Sequence, residues 1–147
     1  MHWKEHYALG YPLMDATHQE FARLVRLLAE TEAATATENR ESKTAAVAAA
    51  MEALLRHSER HFAQEDFWMV KSGFPPLLCH VGEHQRVLAS LRSVLCMVKN
   101  GHSALGKTAA RELESWFERH AVSMDAALAQ HMRQAGYTPT ALEAQDI

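Results

Sequence analysis

Apolar residues in this chain recur every three to four positions over four long stretches, and nowhere does an apolar–polar alternation persist beyond a few residues. That periodicity predicts an all-α chain. Phe21, Leu24, Val25 and Leu28 mark the first helix, which Asp15 or Thr17 can cap and which fades near Thr35. The second begins among Asn39, Glu41 and Ser42 and carries Val47, Met51, Leu54, Leu55, Phe62 and Met69. Ser72 to Pro76 then ends it, because glycine suits the position past a helix end and proline suits the first turn of the next. The third runs from about Pro76 to Lys99 with Leu77, Val81, Leu88, Leu91, Leu95 and Val98, and Asn100-Gly101 closes it. The fourth starts near Ser103 and carries Leu105, Leu113, Trp116, Phe117, Met124 and Leu128 toward Gly136. Short links favour antiparallel neighbours, so the expected architecture is an up-down-up-down antiparallel four-helix bundle. Gly10 and Pro12 interrupt the start of the chain, where Trp3, Tyr7 and Tyr11 suit an arm packed across the bundle. The expected organisation is an N-terminal arm over 1–14, the bundle over 15–135 and a frayed tail over 136–147.

With 147 residues, 48% hydrophobic and 22% charged, the chain can bury one proper core and is not a disordered polymer. A formal net charge of -3 supplies no basic footprint, which argues against a nucleic-acid partner. The longest small-apolar run, Ala45 to Met51, falls far short of the roughly 18 to 20 residues of a membrane span, so no membrane insertion is expected. The first residues, MHWKEHYALGYPLMD, lack a basic region followed by an apolar block and a small-residue cleavage site, which points to a cytoplasmic protein. Cys79 and Cys96 are 17 residues apart on the third helix, about 25 Å at 1.5 Å per residue. They cannot pair with each other and are expected as reduced, buried thiols.

The 10 histidines carry the chemistry, since imidazole is a common metal ligand. His61 and Glu65 are four apart on the second helix, about 40° from one another and on one face. His80 and His84 repeat that geometry on the third. His120 precedes Asp125 by five residues on the fourth, and His18 stands alone on the first. Five imidazoles and two carboxylates are too many for one zinc, which takes about four ligands. Two octahedral-leaning irons sharing carboxylate bridges use all seven and leave room for an oxo or hydroxo bridge and an exogenous ligand. Two ferrous ions, two carboxylates and a hydroxide sum to about +1, which an apolar core can tolerate far better than +4. None of the histidines has a glutamate three residues before it, which disfavours a ferritin-like oxidase. A His-Glu-x-x-His zinc motif, a Gly-rich phosphate loop and a nucleophile motif are all missing from the sequence. On a regular helix a five-residue offset leaves His120 and Asp125 about 140° apart, so a π-type widening or kink is expected between them.

The order of MDATHQEF, HFAQED, HVGEH and WFERHAVSMD along the chain resembles the hemerythrins, and most closely their single-domain bacterial members, over roughly Trp3 to Leu128. The resemblance fills all seven of the family's ligand positions. By that resemblance His18 and His61 hold the iron that takes dioxygen, and His80, His84 and His120 hold a coordinatively saturated second iron. Glu65 and Asp125 bridge them, and dioxygen binds reversibly without net turnover, so no enzyme activity is expected. Phe117 and Ala121 fall at the dioxygen pocket. The family commonly has Leu and Ile there, so Ala121 either opens the pocket to water and autoxidation or leaves a gap that Phe117 fills. Thr17 stands where many relatives have Gln, with no consequence assigned.

Trp116 and Met124 flank His120 by one turn each, and Trp68 and Met69 follow Glu65, so a dry, bulky lining around the metals is expected. His57, four residues before His61, is expected as a partly exposed histidine one turn along the bundle. His2, His6, His102 and His131 are expected at the surface, and Cys79 as a buried neighbour of His80. The role implied is oxygen delivery or storage. The alternatives are a sensor of oxygen or nitric oxide, a di-iron peroxidase or nitric-oxide-reducing enzyme, and an iron buffer.

Overall fold

A computed structural model describes residues 1–143. They form helices α1 (Pro12–Ala34), α2 (Arg40–Ser72), α3 (Leu77–Lys99) and α4 (Leu105–His120), the last continued through a π turn (Ala121–Asp125) into α5 (Ala126–Gln134). The described residues contain no strand. The first three helices and the α4–α5 rod make four antiparallel staves, with α1 packed on α2 and α4, and α3 packed on α2 and α4. This is the four-helix bundle that the periodicity predicts.

Local chemistry sets the helix ends. The α2 start is capped by Asn39, whose Oδ1 accepts from the Ser42 amide at 2.9 Å. Its end is a left-handed Gly73 (φ 69°), after which the Phe74 amide donates to the Met69 carbonyl at 2.9 Å. The start of α1 differs from expectation. Pro12 opens it, while the Asp15 carboxylate reaches back to the amides of Leu9 (2.7 Å) and Gly10 (3.1 Å). Asp15 thus ties down the loop before the helix, and Thr17 lies inside it with its hydroxyl on the Leu13 carbonyl. At the other end of the bundle a Cβ on Gly106 would fall 2.7 Å from Val47 Cγ1, so α4 approaches α2 as closely as only glycine permits.

The core divides into two apolar clusters. One is centred on Phe21, Leu28, Met51, Leu54, Phe62 and Phe117, the other on Met14, Trp68, Met69, Leu128 and Met132. On every stave the histidines and carboxylates of the sequence motifs fall between members of these clusters, so a polar layer crosses an otherwise apolar interior. The N-terminal segment lies over that interior. Tyr7 is buried, donates from its hydroxyl to Glu118 Oε1 at 2.7 Å and meets Phe117 edge-on at 5.4 Å.

The tail does not fray as expected over its described part. Pro139 is buried, the Tyr137 amide donates to the Met132 carbonyl at 2.9 Å, and the Thr140 carbonyl accepts from Trp68 Nε1 at 2.7 Å. A buried indole needs an acceptor, and the folded-back tail supplies it. The expected fraying of 144–147 lies outside the described residues. The thiols also correct expectation. Cys79 and Cys96 are exposed, because both lie on the outer face of α3 and adjacent helix positions such as Cys79 and His80 point about 100° apart.

Candidate metal centre

Each stave brings part of the polar layer. α1 carries His18, α2 carries His61 and Glu65, α3 carries His80 and His84, and the last stave carries His120 and Asp125. All seven are buried. The π turn between His120 and Asp125 takes five residues through about one revolution, so both side chains face the same centre, as the angular argument requires.

Two groups of ligand atoms result, each mutually within 4.8 Å: one of Glu65, His80, His84, His120 and Asp125, the other of His18, His61 and Glu65. The carboxylates divide their oxygens between the two sides. Glu65 Oε1 lies 2.9 Å from His61 Nε2 and 3.1 Å from His18 Nε2, whereas Oε2 lies 3.3 Å from His84 Nε2. Asp125 Oδ1 lies 3.0 Å from His80 Nε2 and 3.1 Å from His120 Nε2, whereas Oδ2 lies 3.4 Å from His18 Nε2. Burial alone would raise both carboxyl pKa values, but the surrounding imidazoles hold Glu65 and Asp125 well below the usual carboxylate range. Both are anions at neutral pH.

The donor set fits a metal on an observation independent of motif. Glu65 Oε2, both Asp125 oxygens and His84 Nε2 are buried and make no hydrogen bond, although they crowd the same space. His80 Nε2 and His120 Nε2 approach to 3.0 Å, which two neutral imidazoles can do only by sharing one proton or one cation. Buried polar atoms left so are costly, and a metal ion at their convergence removes that cost.

Two residues beyond the expected set bear on the site. Asp66 Oδ1 lies 2.8 Å from His84 Nδ1, the carboxylate–histidine arrangement that fixes the tautomer and aim of a metal-binding imidazole. Burial would lower the His84 pKa, but the hydrogen bond to Asp66 and the nearby Glu65 carboxylate push it up to about 9. The signal was present in HFAQED, where an acid follows Glu65, but its partner on α3 depends on the register between two helices. His57 is buried, not partly exposed, and its Nε2–H donates to the Thr17 carbonyl at 3.1 Å, next to His18. Burial, with the charge of His61 second, lowers its pKa to about 4. His57 therefore stays neutral in the fold while an unfolded histidine protonates near 6.5, so the unfolded chain binds the extra proton. Urea unfolding of the metal-free protein is expected to lose stability as pH falls from about 6.5 toward about 4. His57→Gln, which keeps a donor for Thr17, is expected to flatten that loss; an unchanged slope would refute the assignment.

The lining is mixed. Trp68 and Met69 are fully buried as expected, while Trp116 and Met124 are half-buried. Phe117 is buried with its ring edge-on to His18 at 5.2 Å, and Ala121 is buried in the same apolar cluster. His2, His6 and His102 are exposed, while His131 is half-buried and binds the Ser72 carbonyl at 2.8 Å.

Fold and site together define a helical-bundle protein with a buried, nitrogen- and oxygen-donor cluster built to hold cations. Residues 9–132 match the family described as Hemerythrin HHE cation binding domain. The chain is also 35% identical over 134 residues to a bacteriohemerythrin of Ralstonia nicotianae (strain ATCC BAA-1114 / GMI1000), covering 91% of this chain and 90% of that relative. It belongs to the hemerythrin family. No solved structure gives a significant match. No helix among the described residues is long and apolar enough to cross a membrane.

Proposed function

We propose that this protein binds dioxygen reversibly at a pair of iron ions, for oxygen delivery or storage rather than catalytic turnover. The observation that carries the reading is the split of each buried carboxylate between two histidine groups. His18 and His61 would hold one iron, His80, His84 and His120 the other, and Glu65 and Asp125 would bridge them together with an oxo or hydroxo group. Two ferrous ions held there would supply the two electrons that reversible dioxygen binding needs. The chain's own part is to set the donors, cancel charge and keep water out. The two anionic carboxylates offset most of the cation charge, and Asp66 aims His84. In this reading the bundle, 15–135, is the metal-binding unit, the arm over 1–14 packs on it and a C-terminal tail over 136–147 follows. Two exposed, unpaired thiols suit the reducing conditions of the cytoplasm.

Of the two possibilities for the pocket, the packing favours closure by Phe117. Its ring fills the space between His18, Phe21 and Tyr7, with Ala121 buried beside it. Phe117→Ala is expected to cost about 3–5 kcal/mol of stability and to accelerate conversion of the oxygenated protein to its oxidised form. Autoxidation no faster than wild type, followed by visible absorption, would remove the closing role. The function itself is tested by reducing the iron-loaded protein without oxygen, admitting air, then removing it, with the visible spectrum recorded at each stage. A coloured form that appears and reverses supports carriage. Irreversible oxidation points instead to a sensor of oxygen or nitric oxide or to a di-iron peroxidase or nitric-oxide-reducing enzyme, and more than two exchangeable ions per chain points to an iron buffer.

A further inference from the structure

A cavity of about 260 Å³ meets one of the seven donors directly. Thr17 on α1 and His57, His61 and Gln64 on α2 form its walls, and Leu142 of the C-terminal segment lines the remaining side. His61 is buried, whereas Arg60, which also lines the cavity, is exposed and marks its solvent end. Other approaches to the same pair of histidines are filled by aromatic rings. Phe117 lies edge-on to His18 at 5.2 Å, and Phe21 lies edge-on to His61 at 6.0 Å.

The way the C-terminal segment is held decides how this cavity opens. The Thr140 carbonyl accepts from the Trp68 indole at 2.7 Å, a firm anchor. Two residues on, the Leu142 amide donates to Gln64 Oε1 at 3.4 Å, and Gln64 Nε2 donates to the Thr17 hydroxyl at 3.5 Å. Both bonds are at the long limit for hydrogen bonds and are weak. The segment is therefore pinned beside the cavity and only loosely latched at it. No carboxylate among the described residues lines the cavity, and Arg60 stands at its mouth, so an entering cation meets repulsion and no counter-charge. A small neutral molecule or a small anion meets neither obstacle.

We propose that this cavity is the port through which dioxygen and small anions reach the metal position beside His18 and His61, with Leu142 as its lid and Gln64 as the latch. The role as a port rests on the di-iron reading, whereas the cavity and its lid do not. The lid opens by a turn of the backbone at Ala141, which leaves the Trp68–Thr140 bond intact. The fraction of time that it stands open sets the rate of entry.

The test begins without iron. Dioxygen is paramagnetic and speeds the relaxation of protons that it approaches. In the full-length metal-free protein under dioxygen pressure, the ring protons of His61 are expected to relax faster than those of His84, which is also buried. Thr17→Phe, which fills the cavity, is expected to abolish that difference. In iron-loaded, oxidised protein, azide binding is followed by the visible spectrum after rapid mixing. Gln64→Leu keeps the bulk and removes the latch, and is expected to raise the association rate about fivefold, the weight of one hydrogen bond in the balance between closed and open lid. Leu142→Gly is expected to act in the same direction. A lid changes the path and not the end states, so the dissociation rate is expected to rise by the same factor and the affinity for azide to stay unchanged. Equal relaxation at His61 and His84, or azide association unchanged in both Gln64→Leu and Leu142→Gly, overturns the proposal. Both substituted residues are half-buried at the surface, so their exchange leaves the core intact. Failure of the di-iron reading would show separately, as a loaded wild-type protein with no visible iron absorption, while the relaxation measurement still judges the cavity.

Discussion

In the proposed di-iron centre, Glu65→Gln is expected to reduce bound iron from two per chain to one or fewer and to remove any visible absorption that oxygenation gives. The substitution keeps shape and volume and changes one oxygen to an amide and the charge from -1 to zero. Its effect is large because Glu65 is shared: Oε1 serves the His18–His61 side and Oε2 the His84 side. Removing one partner from a buried charged cluster costs about 3–5 kcal/mol, equivalent to roughly two to three and a half decades in affinity. Iron per chain after gel filtration, measured beside the spectrum, is the check. Two tightly held irons with an unaltered spectrum would sink the bridging role of Glu65.

Stripping the metal from wild-type protein is expected to lower the melting temperature by about 10 °C or more. Ligand present at about 1,000 times its dissociation constant stabilises by about 4 kcal/mol, and a domain of this size shifts by about 2–4 °C per kcal/mol. The structure supplies the other side of that difference. Without a cation, three carboxylate oxygens of Glu65 and Asp125 and the Nε2 of His84 remain buried without hydrogen bonds. Melting followed by circular dichroism, before and after chelation and again after iron is restored, gives the measurement. Coincident curves would mean that the cluster holds no metal that matters to the fold.

The features read from the sequence are those written in single-helix geometry. The staves follow from apolar periodicity, the shared faces of His61 with Glu65 and of His80 with His84 from an i, i+4 offset, and the π turn from the mismatch of a five-residue offset with a regular helix. What the sequence did not disclose depends on how staves register against one another. Asp66 meets His84 only because α2 and α3 run antiparallel at one particular offset, and His57 is buried because α1 presents the Thr17 carbonyl to it. The tail has no periodicity at all, and its place is set by an indole on α2 that requires an acceptor. The cysteines were misplaced because an apolar-leaning residue type says little about which side of a helix it occupies.

On the proposed ligand set, the first donor is residue 18 and the last is residue 125, with all four staves contributing between them. No half of the chain contains either carboxylate together with all the histidines that it faces. A polypeptide still emerging from the ribosome would therefore have no competent iron trap until nearly its whole length is released and folded. Iron held by the complete set would enter last, locking a finished topology rather than seeding it.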